Sequence, residues 1–318
     1  MRLLNTRSLQ FKEFSDSKDV PRYAILSHVW DTHEQTFQEI AMIITDNTNN
    51  NVDGEGSWRN VSFKIADFCK LAASFGYDWG WVDTCCINKE SSAELSEAIN
   101  SMFAWYTDAD ICIAYLKDVR GENDMDRSVW FTRGWTLQEL VAPGALLFVT
   151  AQWEPICTRA SRPDIVTSAT GIPINMLNSP GAFAQASVID RFRWARPRKT
   201  TRLEDRAYSL MGLFGVNMPI IYGEGERAFR RLQEEILKTS PDQTLFTWGT
   251  AVLTDLRHDV GPFNWPPGLF APRPGVVWWT ESDFCQTPKP LPLWYAYFFL
   301  LSQPLIYRIL ALQPQMSL

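Results

Sequence analysis

The sequence predicts an α/β fold: a mostly parallel, doubly wound sheet with helices on both faces, followed by a helical extension. Two observations carry this. Over residues 1–150, short apolar runs of strand length alternate with stretches in which apolar residues recur at helical spacing. That alternation is the pattern of parallel strands joined by helices. From about 160 to 240 it stops, and only helical patterns remain.

The elements follow in order. "YAILS", 23–27, is apolar and bounded by Pro21 and His28, so it reads as a buried strand. Residues 45–57, "TDNTNNNVDGEGS", have no periodicity and read as a polar loop. Val61, Ile65, Phe68, Cys69 and Ala72 then recur at helical spacing up to Gly76. "WGWVDTCCI", 79–87, is strand-like, and Ser92 opens a helix whose stripe is Leu95, Ala98, Ile99, Met102, Phe103 and Tyr106. "ICIAYL", 111–116, and "ALLFV", 145–149, are buried strands that flank a short helical turn, 135–141, stopped by Pro143. Residues 186–195, 200–215 and 225–240 each read as one helix, and 261–292, rich in Pro and Trp, as irregular wrapping.

Composition narrows the function. A 46% hydrophobic content in 318 residues is that of a globular chain with one large domain or two ordinary ones. Net charge is −6 and the basic residues are scattered, so no stripe suits nucleic acid. Six cysteines without a CxxC pair, and only three histidines, offer no metal-ligand spacing; reduced intracellular thiols, hence a cytoplasmic protein, are the expectation. The apolar tail 291–312 is broken by Pro292, Gln303, Pro304 and Arg308 and reads as a tail rather than a membrane span.

Active sites in such sheets lie beyond the carboxyl ends of the strands. Ser27 ends the first strand, His28 and Trp30 follow it, and Asp83 follows "WGWV". Each has a plain structural reading: an Asx turn for Asp83, a solvated or packed imidazole for His28. Glu139, in "WFTRGWTLQELVAP", 130–143, is the sharper puzzle, a carboxylate among apolar neighbours. Thr136-x-x-Glu139 is a capping-box pattern. A catalytic reading needs partners, which Arg133, Trp130 and Trp135 can supply as a cation and stacking faces. Arg202, Glu204, Asp205 and Arg206 read as an ion-pair face on a helix. "YGEGE", 222–226, offers backbone N–H groups to an anion but lacks the Lys-Ser/Thr of a Walker A loop.

Four stretches together, "YAILSHVW", "WGWVDTCCINKESSAELSEAINSMFAWYTDADICIAYL", "WFTRGWTLQELVAP" and "RKTTRLEDRAYSLMGLFGVNMPIIYGEGERAFRRLQEEI", resemble the fungal heterokaryon-incompatibility (HET) domain over residues 1–250. The chain departs from the family at Val29-Trp30-Asp31, where Thr-Trp-Gly is more usual, and at Asn88, where Asp is common. The resemblance implies a protein of non-self recognition and regulated cell death that self-associates or meets another incompatibility protein. It also implies a domain at 1–250, made of an α/β core, 1–155, and a helical extension, 156–250, ahead of the irregular segment 251–318.

HET domains are in turn remotely similar to Toll/interleukin-1 receptor (TIR) domains, which implies a flavodoxin-like sheet. "AILS", "WVD", the helix with "ELSEAI", the strand "ICIAYL" and the turn Trp135-Thr136-Leu137-Gln138-Glu139-Leu140 occur in the TIR order, with Thr136 in place of the usual Cys. In catalytic TIR domains the glutamate of that turn is needed to cleave NAD. The resemblance therefore implies NAD as substrate rather than cofactor, and Glu139 as catalytic. Around it, Ser27, His28, Trp30, Asp83, Arg133 and Trp135 would bind substrate, with no metal. The rival is a non-catalytic, self-associating module, since fold does not carry activity. A Glu139 that faces Ser27–Trp30 and Asp83 favours the enzyme; one that closes its own helix cap favours the module.

Overall fold

Strand Ala24–His28 is buried along its whole length, so both of its faces are covered. It lies at the centre of the computed structural model, which describes residues 1–50, 52, 54–178 and 182–242. The segment 251–318, with the apolar tail, lies outside the described residues.

Two short strands precede the first predicted one: β1 (Arg2–Asn5) and β2 (Phe11–Glu13). Then come β3 (Ala24–His28), α1 (Phe37–Asn49), α2 (Phe63–Ser74), β4 (Trp79–Trp81), α3 (Ser92–Asp108), β5 (Ile111–Tyr115), α4 (Thr136–Val141), β6 (Leu146–Val149) and β7 (Pro155–Thr158). Among the described residues the sheet has seven strands in the order β2-β1-β4-β3-β5-β6-β7. The four strands β4-β3-β5-β6 are parallel, and each is one of the predicted ones. Counted among themselves they run 2-1-3-4, the flavodoxin-like order. The pairings β1–β2, β1–β4 and β6–β7 are antiparallel and extend both edges, so the sheet as a whole is mixed.

The helices after the sheet are α5 (Pro163–Thr170), α6 (Ile174–Asn178), α7 (Ala182–Gln185), α8 (Val188–Ala195), α9 (Asp205–Tyr208), α10 (Met211–Phe214) and α11 (Arg227–Thr239). One hydrophobic cluster runs from Leu3 to Ile236 and joins the faces of these helices to the sheet.

Several expectations change. The loop predicted from residue 45 starts later, because α1 continues to Asn49. A full capping box between Thr36 and Glu39 nucleates that helix, and Thr45 and Thr48 fold their hydroxyls onto its own carbonyls. Ser91, not Ser92, caps α3 by accepting the Glu94 N–H. The strand predicted over 79–87 stops at Trp81, and the Cys86 N–H closes a turn onto the Val82 carbonyl. The helix predicted over 200–215 is two short helices, α9 and α10, the second ended by Gly215 in the left-handed region at φ 65°. Among the described residues all the cysteines are free, and no helix is long and apolar enough to cross a membrane.

Candidate functional site

The parallel strands β3 and β4 deliver His28 and Asp83 to the same end of the sheet. His28 Nε2 and Asp83 Oδ1 are 2.9 Å apart, and Trp30 Nε1 donates to Asp83 Oδ2 at 2.7 Å. Both carboxylate oxygens of Asp83 thus face a nitrogen partner. Burial works to raise this carboxyl, yet the His28 imidazole, Lys89 and the Trp30 N–H outweigh it and hold Asp83 below its ordinary range. Lys89 lies with its ammonium 3.8 Å from the centre of the Trp30 ring, a cation–π contact; its own pKa is lowered by burial.

Glu139 approaches from α4. The predicted capping box does not form. Trp135 is the N-cap residue and makes no side-chain cap, so Thr136 sits one position too late to serve as one. The Thr136 hydroxyl donates instead to the Trp130 carbonyl at 2.5 Å, and Arg198 Nη1 donates to its oxygen at 2.9 Å and to the Arg133 carbonyl at 3.0 Å. Released from the cap, the Glu139 carboxylate accepts the Ser27 hydroxyl in a short hydrogen bond. Ser27 Oγ in turn accepts the Trp130 indole N–H at 2.8 Å. An indole only donates, so the serine proton is directed at Glu139. The side chain is otherwise dry, at 6% exposure. Burial pushes its carboxyl from 4.5 up to about 8, and Asp83 adds to the rise, while Ser27, Arg198 and Arg133 oppose it.

These groups meet in a cavity of about 320 Å³. Glu139, His28, Trp30, Asp83, Arg133 and Trp135 line it, so six of the seven residues singled out in the sequence come together there. Ser27 does not line the cavity: it is fully buried behind Glu139, and its place is to hold that carboxylate rather than to touch a ligand.

The rest of the wall was missed. Leu95, Ile99 and Met102 of α3 give one apolar side, while Thr201, Arg202, Asp205 and Tyr222 close the other from the segment after α8. Thr201 accepts from Arg133 Nη2 at 3.1 Å, Tyr222 donates to Asp205 at 3.0 Å, and the Arg202 guanidinium lies 4.2 Å from the Tyr222 ring centre. The expected ion-pair face is therefore split: Arg202 and Asp205 turn to the cavity and Glu204 turns away. The Glu204 carboxylate accepts the N–H groups of Gly223 and Gly225 at 2.8 and 3.1 Å. So the anion held by the "YGEGE" turn is part of the chain itself.

Strand order and cavity together define the class: a flavodoxin-like α/β protein with an acidic and aromatic cleft at the carboxyl ends of its parallel strands. Residues 23–125 match the heterokaryon incompatibility protein (HET) family, and residues 227–262 match a family described as a domain of unknown function, DUF8212. The chain is 42% identical over 257 residues to the vegetative incompatibility protein HET-E-1 of Podospora anserina. That match takes in 76% of this chain and 18% of the relative, so the chain corresponds to a small part of that protein's length. No solved structure matches it. The chain carries a heterokaryon-incompatibility domain and belongs to that fungal family. Ser27, His28, Trp30 and Asp83 fall inside the matched segment 23–125, and Glu139 follows it.

Proposed function

We propose that this protein acts in fungal non-self recognition and regulated cell death by cleaving NAD, with Glu139 as the essential carboxylate. The observation that carries the reading is the direction of Glu139. It faces a cavity that also presents Trp30, Trp135 and Arg133, rather than closing the start of its own helix.

Loss of nicotinamide from NAD leaves positive charge on the ribose, and a carboxylate fixed beside that carbon stabilises it. A dry carboxylate does so better than a solvated one, because little solvent screens it. Glu139 is mostly protonated near neutral pH, but the positive charge of the bound pyridinium favours release of that proton. Trp30 and Trp135 offer flat faces to the bases, and Arg133 a cation to the pyrophosphate.

The similarity to a vegetative incompatibility protein supports the incompatibility role and an association with another incompatibility protein; the reading adds association with a second copy of this chain. The reading takes the compartment to be the cytoplasm, where thiols such as Cys85 and Cys86 stay reduced.

The test is nicotinamide release by the purified protein at high concentration, beside Glu139→Ala and Glu139→Gln. Loss of about 100-fold or more in both variants is expected. Equal turnover in all three proteins removes Glu139 from the chemistry.

A further inference from the structure

Three carboxyl groups line the cavity, and the surroundings of two of them, Asp83 and Glu139, hold them in opposite states; the third, Asp205, accepts the Tyr222 hydroxyl, and burial raises it. Asp83 has a nitrogen partner on each oxygen, at 2.9 and 2.7 Å, with the Lys89 ammonium beside it, and these favour the anion. Glu139 has one hydroxyl donor, a dry setting at 6% exposure, and the negative charge of Asp83 nearby; these favour the acid. The other groups acting on Glu139 are Arg133 and Arg198, which favour its anion, and Tyr106 and Cys112, both kept neutral by burial. A proton donor and a separate carboxylate in one cavity are the two parts that acid-assisted glycoside cleavage needs.

NAD does not need both, because its nicotinamide departs as a neutral base. A purine does: its bond to ribose breaks readily only when a ring nitrogen is protonated. We propose that this cavity also hydrolyses N-ribosides of the purine class, with Glu139 as the acid that protonates the departing base and Asp83 as the carboxylate that faces the ribosyl cation. The proposal rests on the reading of the cavity as a glycohydrolase site.

The step balances. The Glu139 proton moves to the purine, and the electron pair of the C1′–N bond leaves with the base. Asp83 stabilises the ribosyl cation, water adds to C1′, and the proton lost from that water returns to Glu139. Trp135, the apolar side of α3 and the ring face of Trp30 that Lys89 leaves open provide the flat surface that a purine ring fits.

Guanosine 5′-monophosphate and its N1,N7-dimethyl derivative separate the roles, because N7 methylation gives the base the positive charge that it otherwise takes from the acid and N1 methylation removes the proton whose loss near neutral pH would cancel it. Base release from each is measured from about pH 6 to 9, a range that spans the Glu139 titration. Cleavage of the unmodified nucleotide is expected to fall as pH rises through about 8. Cleavage of the methylated one, like that of NAD, is expected to rise there. Asp83→Asn should lower both by more than about 10-fold. Should that variant not fold, Trp30→Phe removes one donor from the same carboxylate and should lower both to a smaller degree.

Parallel pH profiles for the two nucleotides, no guanine release by the wild type, or a carboxylate variant that leaves both rates unchanged would overturn the proposal. Nicotinamide release measured alongside keeps the two readings apart. NAD cleavage without guanine release leaves the first standing and removes this one. Opposite guanine profiles with NAD inert do the reverse.

Discussion

Ser27 donates its hydroxyl proton to Glu139 across 112 residues of chain, and it does so while accepting the Trp130 indole N–H. The first of these bonds ties the central strand to the short helix that carries the acid. The second aims the serine, since an indole has no acceptor to offer.

Replacing Ser27 by Ala therefore has two effects. Glu139 loses the hydrogen bond that favours its charged form, so its titration moves above about 8. The Trp130 N–H is left buried without a partner, which costs roughly 1–3 kcal/mol of stability. Carbon-13 NMR of the glutamate carboxyl groups reads the first effect, and urea unfolding the second.

Glu139 also makes stability depend on pH. Its carboxyl titrates near 4.5 when exposed and near 8 in the fold. Between those values the folded chain keeps a proton that the unfolded chain has lost. Stability from this group is full below 4.5 and declines as pH rises to about 8, by up to ~1.4 kcal/mol per pH unit. Glu139→Gln keeps the acceptor for Ser27 and has no proton to lose. Urea melts at a series of pH values should show a flatter profile for this variant.

Glu204 is a structural anion. Removing it in Glu204→Ala leaves the Gly223 and Gly225 N–H groups without their carboxylate and loosens the turn that carries Tyr222 to the cavity. A loss of about 1–3 kcal/mol is expected, the range for charge-assisted bonds, with Glu204→Gln keeping part of it. Thermal melts of the two variants give the order.

Gly212, in α10, packs its backbone against Phe103 of α3. A methyl group there would lie 2.1 Å from Phe103 Cβ, an atom with no freedom to move aside. Gly212→Ala should cost at least about 1–3 kcal/mol through overpacking, although alanine normally favours a helix. Pairing it with Phe103→Gly, which removes that Cβ, should cost less than the sum of the two single changes, which a double-mutant melt measures.

The parallel centre of the sheet was legible because each of its strands is a short apolar run between turn signals, and hydrophobic period is a local property. The edge strands were not. Arg2–Asn5 is four residues and Phe11–Glu13 three, too short for a period to declare itself. The apolar stripe Phe37, Ile40, Ile43 and Ile44 of α1 was available and went unread beside the Asn-rich stretch that follows it. Arg202, Asp205 and Tyr222 carried no such signal. Their charges look like any helix face until the chain folds back and sets them across from α3.

By itself the sequence determined the buried strands that lead to the site but not where they end. Strand β3 runs one residue past the predicted run, to His28, and β4 stops at Trp81, two residues before Asp83, where the sequence predicts it to continue to residue 87. Only the tertiary structure decided which way Glu139 faces. A threonine three residues ahead of a glutamate spells a helix cap and an inward-turned acid with the same letters. The choice fell to Trp135 taking the cap position and to Ser27 offering a proton from a strand 112 residues away. A hydrogen bond in a dry interior outweighs a local preference, and no local pattern encodes a partner at that distance.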